Sequence, residues 1–260
     1  MAGAGDEPVI IVPTSGKKKP GGNGSGWLRS FPQLDPRRHD IADALERYLK
    51  TAGATTSAHH ASNAKALQRN HGLLDRPTMP AIERYDNTLF STIGYESLTA
   101  EARSLIDRQL IILSGLWGAL RSRDQIPDYF LPMTVKLPPL GLLDAFWRDE
   151  LQRVIDPVVD GRVVWDFLRN AYEPLWTSSG SPRHRLRLTV RFLSWKGKAV
   201  GHRITDASIY PRGELIRFIA THSATSIDDL ATFESTDGWR VDQGKSFHNG
   251  ISGAVVLRKY

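Results

Sequence analysis

Short apolar runs bounded by turn residues set the rhythm of this chain. Val9-Ile10-Ile11-Val12 and Leu110-Ile111-Ile112-Leu113 are continuous runs, the pattern of strands buried on both faces. Over residues 186–193 the pattern alternates instead. Leu186, Leu188, Val190 and Phe192 are apolar, while Arg187, Thr189 and Arg191 are polar and Arg185 extends the polar side. That predicts a strand with one buried and one basic face. Residues 162–168 and 253–260 predict two further strands. Residues 198–204 predict a partner for the alternating strand across Lys196-Gly197. Helical spacing fills the intervals. Asp35 with Pro36 predicts a helix start, Ile41, Ala44, Leu45, Tyr48 and Leu49 its buried stripe, and Gly53 its end. Helices are also predicted over residues 62–70, 81–93 and 140–155, and from a Thr99 cap to residue 107. Others open at Asn170, at Arg212-Gly213 and at Ser226. Strands and helices interleave without a linker or a repeat. The expectation is one domain over residues 1–260 of α/β (mixed α+β) class, a mixed sheet flanked by helices.

The second apolar run breaks at Ser114-Gly115, passes a second glycine at Gly118 and leaves on Arg121 and Arg123. A buried strand, a tight glycine turn and a cationic exit can place a binding site at a strand's carboxyl end. The same letters also fit a strand followed by a helix that contains glycine. Neither GxGxxG nor a Walker sequence is present. The first run is followed by Lys17-Lys18-Lys19 and then by Gly21-Gly22-Asn23-Gly24-Ser25-Gly26. Residues 17–26 read as a flexible Lys/Gly-rich loop, suited to an anion or simply to solvent.

Charge sharpens this picture. The net charge is +6 and the pI about 9.6. Between Arg183 and Arg217 stand nine basic residues against two acidic ones. Such a field favours nucleic acid or nucleotide phosphates, unless it is a solvated strand face. The 260 residues contain no cysteine, which excludes disulfides, zinc–thiolate sites and cysteine nucleophiles. The apolar runs are too short to span a bilayer, and Met1 to Pro8 lacks the features of a signal peptide. A cytoplasmic protein that does not enter membranes is expected. Catalytic patterns are sparse. His59-His60 are adjacent, no HExxH is present, and Ser114 lacks a GxSxG elbow. Glu83, Asp124 and Asp166 remain as acid–base candidates, and neither a metal site nor a cofactor is expected.

Leu113-Ser114-Gly115-Leu116-Trp117-Gly118-Ala119-Leu120-Arg121, then Asp124, then Tyr129-Phe130-Leu131-Pro132-Met133 resemble the signature of the YaaA-type peroxide-stress proteins. There the pattern runs SGLYGVLR, then D, then PYRLxMG. Val12 to Lys17 resembles that family's opening strand and lysine-bearing loop, and Tyr85 with Leu89-Phe90 its tyrosine helix. Asp166 to Tyr172, Arg212-Gly213 and the closing Val256 to Tyr260 follow in the family's order.

The resemblance implies a cytoplasmic single-domain mixed α/β protein that binds double-stranded DNA through a basic cleft and limits oxidative damage. Carried over with the basic stretch, the DNA- or anion-binding set is Lys17, Lys18, Ser114, Gly115, Arg121, Arg123, Tyr129, Arg169, Arg185, Arg187, Arg191, Arg212 and Gly213. The departures are specific. Phe130 stands where the family has arginine, Thr134 where it has glycine, and Ile209 and Tyr210 where lysines occur. A cleft retuned to an aromatic ligand would use Trp117, Phe130 and Tyr210 to stack on a base. The alternative function is therefore an enzyme acting on a nucleotide, nucleoside or other anionic small molecule.

Overall fold

The computed structural model describes residues 7–25, 29–52, 68–177, 183–194, 202–203 and 209–259. The first apolar run forms β1 (Val9–Pro13), after which α1 (Asp35–Ala52) follows a 3-10 turn at Pro32–Leu34. β2 (Met79–Pro80), α2 (Ala81–Arg84), α3 (Thr88–Ile93) and α4 (Ala100–Gln109) lead into β3 (Leu110–Ser114). Thr99 caps α4 as expected, its hydroxyl accepting from the Ala102 amide. The chain then makes β4 (Gly118–Leu120), β5 (Gln125–Ile126), β6 (Lys136–Leu137), β7 (Gly141–Leu142), α5 (Leu143–Val159) and β8 (Val163–Asp166). β9 (Leu186–Ser194), β10 (His202–Arg203), α6 (Ile209–His222), β11 (Trp239–Val241), β12 (Phe247–His248) and β13 (Ser252–Lys259) complete it.

Among the described residues one nine-stranded mixed sheet runs β11-β13-β9-β8-β1-β3-β4, with β10 beside β9 and β12 beside β13. β3, β1, β8, β9 and β13 are mutually parallel, and β4, β10, β11 and β12 are antiparallel to their neighbours. β1 and β3 are wholly apolar because they lie inside the sheet with helices over both faces, and Val9 to Val12 and Leu110 to Leu113 are fully buried. In β9 the alternation reads out as expected: Leu188, Val190 and Phe192 are buried, and the arginines face the other way.

Three expectations change. Residues 81–93 do not form one helix. Tyr85 is extended and pairs as an isolated bridge with Lys18, the Asp86 amide donates to Lys17 O at 2.9 Å, and Asn87 caps α3 by accepting from Phe90 N. The apolar stripe is real, but a distant loop docks into it and splits it. Residues 140–142 precede α5 instead of opening it, because Gly141 (φ 83°) turns the small β6–β7 hairpin. The segment after Ser114 is a strand, not a glycine-containing helix, since Gly118 pairs antiparallel with Ser114. Gly118 has φ 70°, and a Cβ there would stand 2.7 Å from the Trp147 ring. Most of the helix expected over 62–70 lies outside the described residues, as do His59-His60, Lys196 and Lys198. Residues 68–70 form a 3-10 turn.

The Lys/Gly-rich loop is fastened at several points. Arg84, fully buried, donates to the carbonyls of Lys19, Gly21, Pro77 and Ile126, and Gly24 pairs with Thr78 in both directions at 2.9 Å. A buried Arg38 does the same beyond the loop, donating to Ser30 O, Trp117 O and Ala119 O and to Asp35. Each guanidinium satisfies carbonyls that an irregular backbone would otherwise leave orphaned.

A polar centre at the carboxyl ends of the strands

The parallel strands deliver Thr14 and Ser15 after β1, Ser114 at the end of β3, and Asp166 at the end of β8 to one edge of the sheet. Two tyrosines reach in from outside it: Tyr85 from the end of α2 and Tyr129 from the irregular segment after β5. Tyr129 Oη lies 2.7 Å from Ser114 Oγ and 2.8 Å from Tyr85 Oη. Ser114 Oγ also accepts from the amides of Leu116 and Trp117, both at 3.2 Å. With both lone pairs taken, its own proton goes to Tyr129, and a continuous hydroxyl chain joins Ser114, Tyr129 and Tyr85, in which either phenol can donate to the other. Against burial, the nearby Thr14 hydroxyl works to lower the pKa of both phenols. Burial raises both phenols above the ordinary tyrosine range, Tyr85 the more so, and it raises Tyr172 beside them.

Lys18 completes the centre. Its Nζ sits 3.9 Å from the Tyr129 ring centre and 5.6 Å from that of Tyr85, and it donates to Ser15 O at 2.9 Å. The residue is 6 % exposed. Burial pulls its amine down to about 7, with partial compensation from Asp128.

The remaining expected cations fall into two groups. Several face carboxylates. Arg187 donates twice to Asp166 Oδ2, at 3.0 and 2.6 Å, and lies over Trp176. Arg191 pairs with Glu173 at 3.3 Å, Arg123 with Glu83 at 3.1 Å, and Lys17 with Asp86 at 2.8 Å. Others are interior or lie elsewhere. Arg212 is 4 % exposed, stacked over Phe192 and directed at Phe167 O. Arg121 follows a β4 that runs away from the Ser114 end, so it stands toward the amino side of β3, near Phe31. Arg169 is half-buried and Arg185 exposed.

Gly115 and Gly213 serve close packing. A Cβ on the first would collide with Leu131 O, and one on the second with Thr92 and Leu89 O of α3. Of the expected stacking residues, Trp117 is fully buried, with Arg29 over its ring at 4.3 Å and Tyr129 edge-on at 5.9 Å. Phe130 is half-buried, its backbone held in both directions by Asn70 at 2.8 Å, and Tyr210 is exposed.

The acid–base candidates are all engaged as well. Burial raises Asp124, which nevertheless accepts from Ser30 N, Ser30 Oγ and Arg121 N. Sequence reasoning took Tyr85 as core and missed its hydroxyl; a tyrosine inside an otherwise aliphatic stripe was the available signal. Among the described residues no group of three or more His, Asp or Glu is placed to hold a metal, and no helix is long and apolar enough to cross a membrane.

These features define a mixed α/β protein whose polar side chains gather at the carboxyl ends of its central strands. The family model described as peroxide stress protein YaaA matches residues 9–245. A UPF0246 protein of Streptomyces coelicolor is 35 % identical over 226 residues, covering 83 % of this chain and 84 % of that protein. UPF0246 proteins of Corynebacterium efficiens (27 % over 248 residues, 90 % and 94 % covered) and Salinispora tropica (29 % over 224 residues, 83 % and 76 %) are similar as well. The chain belongs to the YaaA peroxide-stress protein family.

Proposed function

We propose that this protein serves in the peroxide-stress response of the cytoplasm, as the family's description suggests, by binding a nucleotide-sized, phosphate-bearing ligand at the strand-end centre and acting on it. The observation that carries this reading is how the charges are used. Arg187, Arg191, Arg123 and Lys17 face carboxylates of the same chain, and Arg212 is interior. That is a poor track for a duplex, which needs several solvent-facing cations in a row. A compact buried set of hydroxyls with one amine suits a small ligand and proton transfer better.

DNA binding is the second reading, supported by the net charge of +6 and by exposed Arg185 and Lys19. Fluorescence anisotropy with a mixed-sequence duplex at about 50 and about 200 mM salt separates the two, because each neutralised phosphate adds about 0.9 to the salt slope. The small-ligand reading expects weak, steeply salt-sensitive duplex binding, and nucleotide binding in a thermal-shift series that changes far less with salt. Submicromolar duplex binding with no thermal shift by any nucleotide or nucleoside would overturn it in favour of DNA.

A further inference from the structure

We propose that Lys18 is the group that meets an oxyanion in the strand-end centre, and that it takes up a proton as the anion arrives. The inference rests on the anion reading above and assigns the binding step to one amine.

The surroundings of Nζ define its state. Two aromatic rings and the Ser15 carbonyl are its close neighbours. Ring faces attract an ammonium, but they replace water poorly. Among the described residues no carboxylate lies within ion-pair distance of it. Asp128 is the acidic group that faces it, and both Asp128 oxygens accept from Arg69, at 2.9 and 3.1 Å. Arg69 opposes a charge on the amine. Lys17 on the same loop is engaged with Asp86, and Lys19 points to solvent. The phenols of Tyr85, Tyr129 and Tyr172 are held neutral by burial and supply no counter-charge. The free amine is therefore poised near neutrality, at about 7.

A methionine would fill this space without the desolvation cost of an amine. What lysine adds is a latent charge. An oxyanion entering beside Nζ would supply the missing counter-charge and return the amine toward the ordinary lysine range. Between the free and bound midpoints, binding then consumes one proton, and the affinity falls roughly tenfold for each pH unit gained.

Inorganic sulfate is the probe, because it does not titrate near neutrality. The 13C resonance of lysine Cε, assigned with Lys18→Met, is followed against pH with and without sulfate, while backbone amide shifts report binding. The expected result is a Lys18 midpoint near neutrality in the free protein that rises by a unit or more with sulfate, the other lysines staying unmoved. A free-protein midpoint in the ordinary lysine range would overturn the inference. So would sulfate-dependent amide shifts with no change at Lys18, which leave the anion reading standing. No amide shifts up to high sulfate would remove the anion reading, and the inference with it.

Discussion

At the level of single residues, the Lys18 amine is a costly placement, because it is buried with a carbonyl and two ring faces in place of water. In the unfolded chain it titrates in the usual lysine range; in the folded protein burial brings it to about 7. Between those values the unfolded state holds more protons. Folding stability should therefore rise with pH from about neutral to about pH 10, by at most about 1.4 kcal/mol per unit. Lys18→Met should flatten that slope and raise stability most at neutral pH and below. Urea unfolding of both proteins at several pH values checks this, and equal slopes would show that the amine is not desolvated in solution.

Ser114 and Tyr129 were legible in the sequence, since they sit in a specific motif after a recognisable strand. The burial of Lys18 was not. A lysine between two lysines ahead of a glycine run has the local signature of solvated loop, and what buries it is a bridge to Tyr85, far along the chain. The engagement of Arg187 with Asp166 was equally hidden, because it depends on the parallel register of β8 with β9.

Among the elements, the loop after β1 and the break between α2 and α3 are one device. Arg84 at the end of α2 donates to four carbonyls, two of them in the loop. Arg84→Ala should orphan these acceptors and destabilise the fold by roughly 2–4 kcal/mol. It should also make the Lys17–Lys19 stretch an early trypsin site. Calorimetry and timed proteolysis measure the two effects, and unchanged cleavage would mean the loop is held by other contacts. Local pattern located β1, β3, β8, β9 and β13 and the cap of α4, whereas Asp35, expected to cap α1, is itself helical (φ −59°, ψ −38°) because a 3-10 turn runs straight into that helix. It located neither β11 nor β12, which are short and carry exposed residues such as Arg240, Phe247 and His248. Such strands exist because β13 offers them an edge, and no window of their own letters encodes that.

Over the whole molecule, many of the cations face carboxylates of the same chain, which moderates the field a polyanion would feel around the net +6. Asp86→Asn removes the partner of Lys17, whose side chain is 77 % exposed. Duplex affinity at low salt should rise modestly, and the slope of log affinity against log salt should steepen by up to about 0.9. Anisotropy titrations of the variant beside the parent protein measure this; identical slopes would place Lys17 outside any nucleic-acid contact.

β13 carries a consequence for how the molecule is made. It lies between β9 and β11, in parallel register with β9 from Ser252–Arg187 to Arg258–Leu193. Among the described strands it also comes last in chain order. On the ribosome β9 is therefore synthesised well before the neighbour that covers its edge, and at about 5–20 residues per second the wait lasts several seconds. During that interval β9 presents an open ladder of unpaired amides and carbonyls, the surface most prone to pairing with another nascent chain. Arg187 and Arg191 give little repulsion across such an edge, because Asp166 and Glu173 precede them in the chain and already face them, so the seam is protected only once β13 closes it.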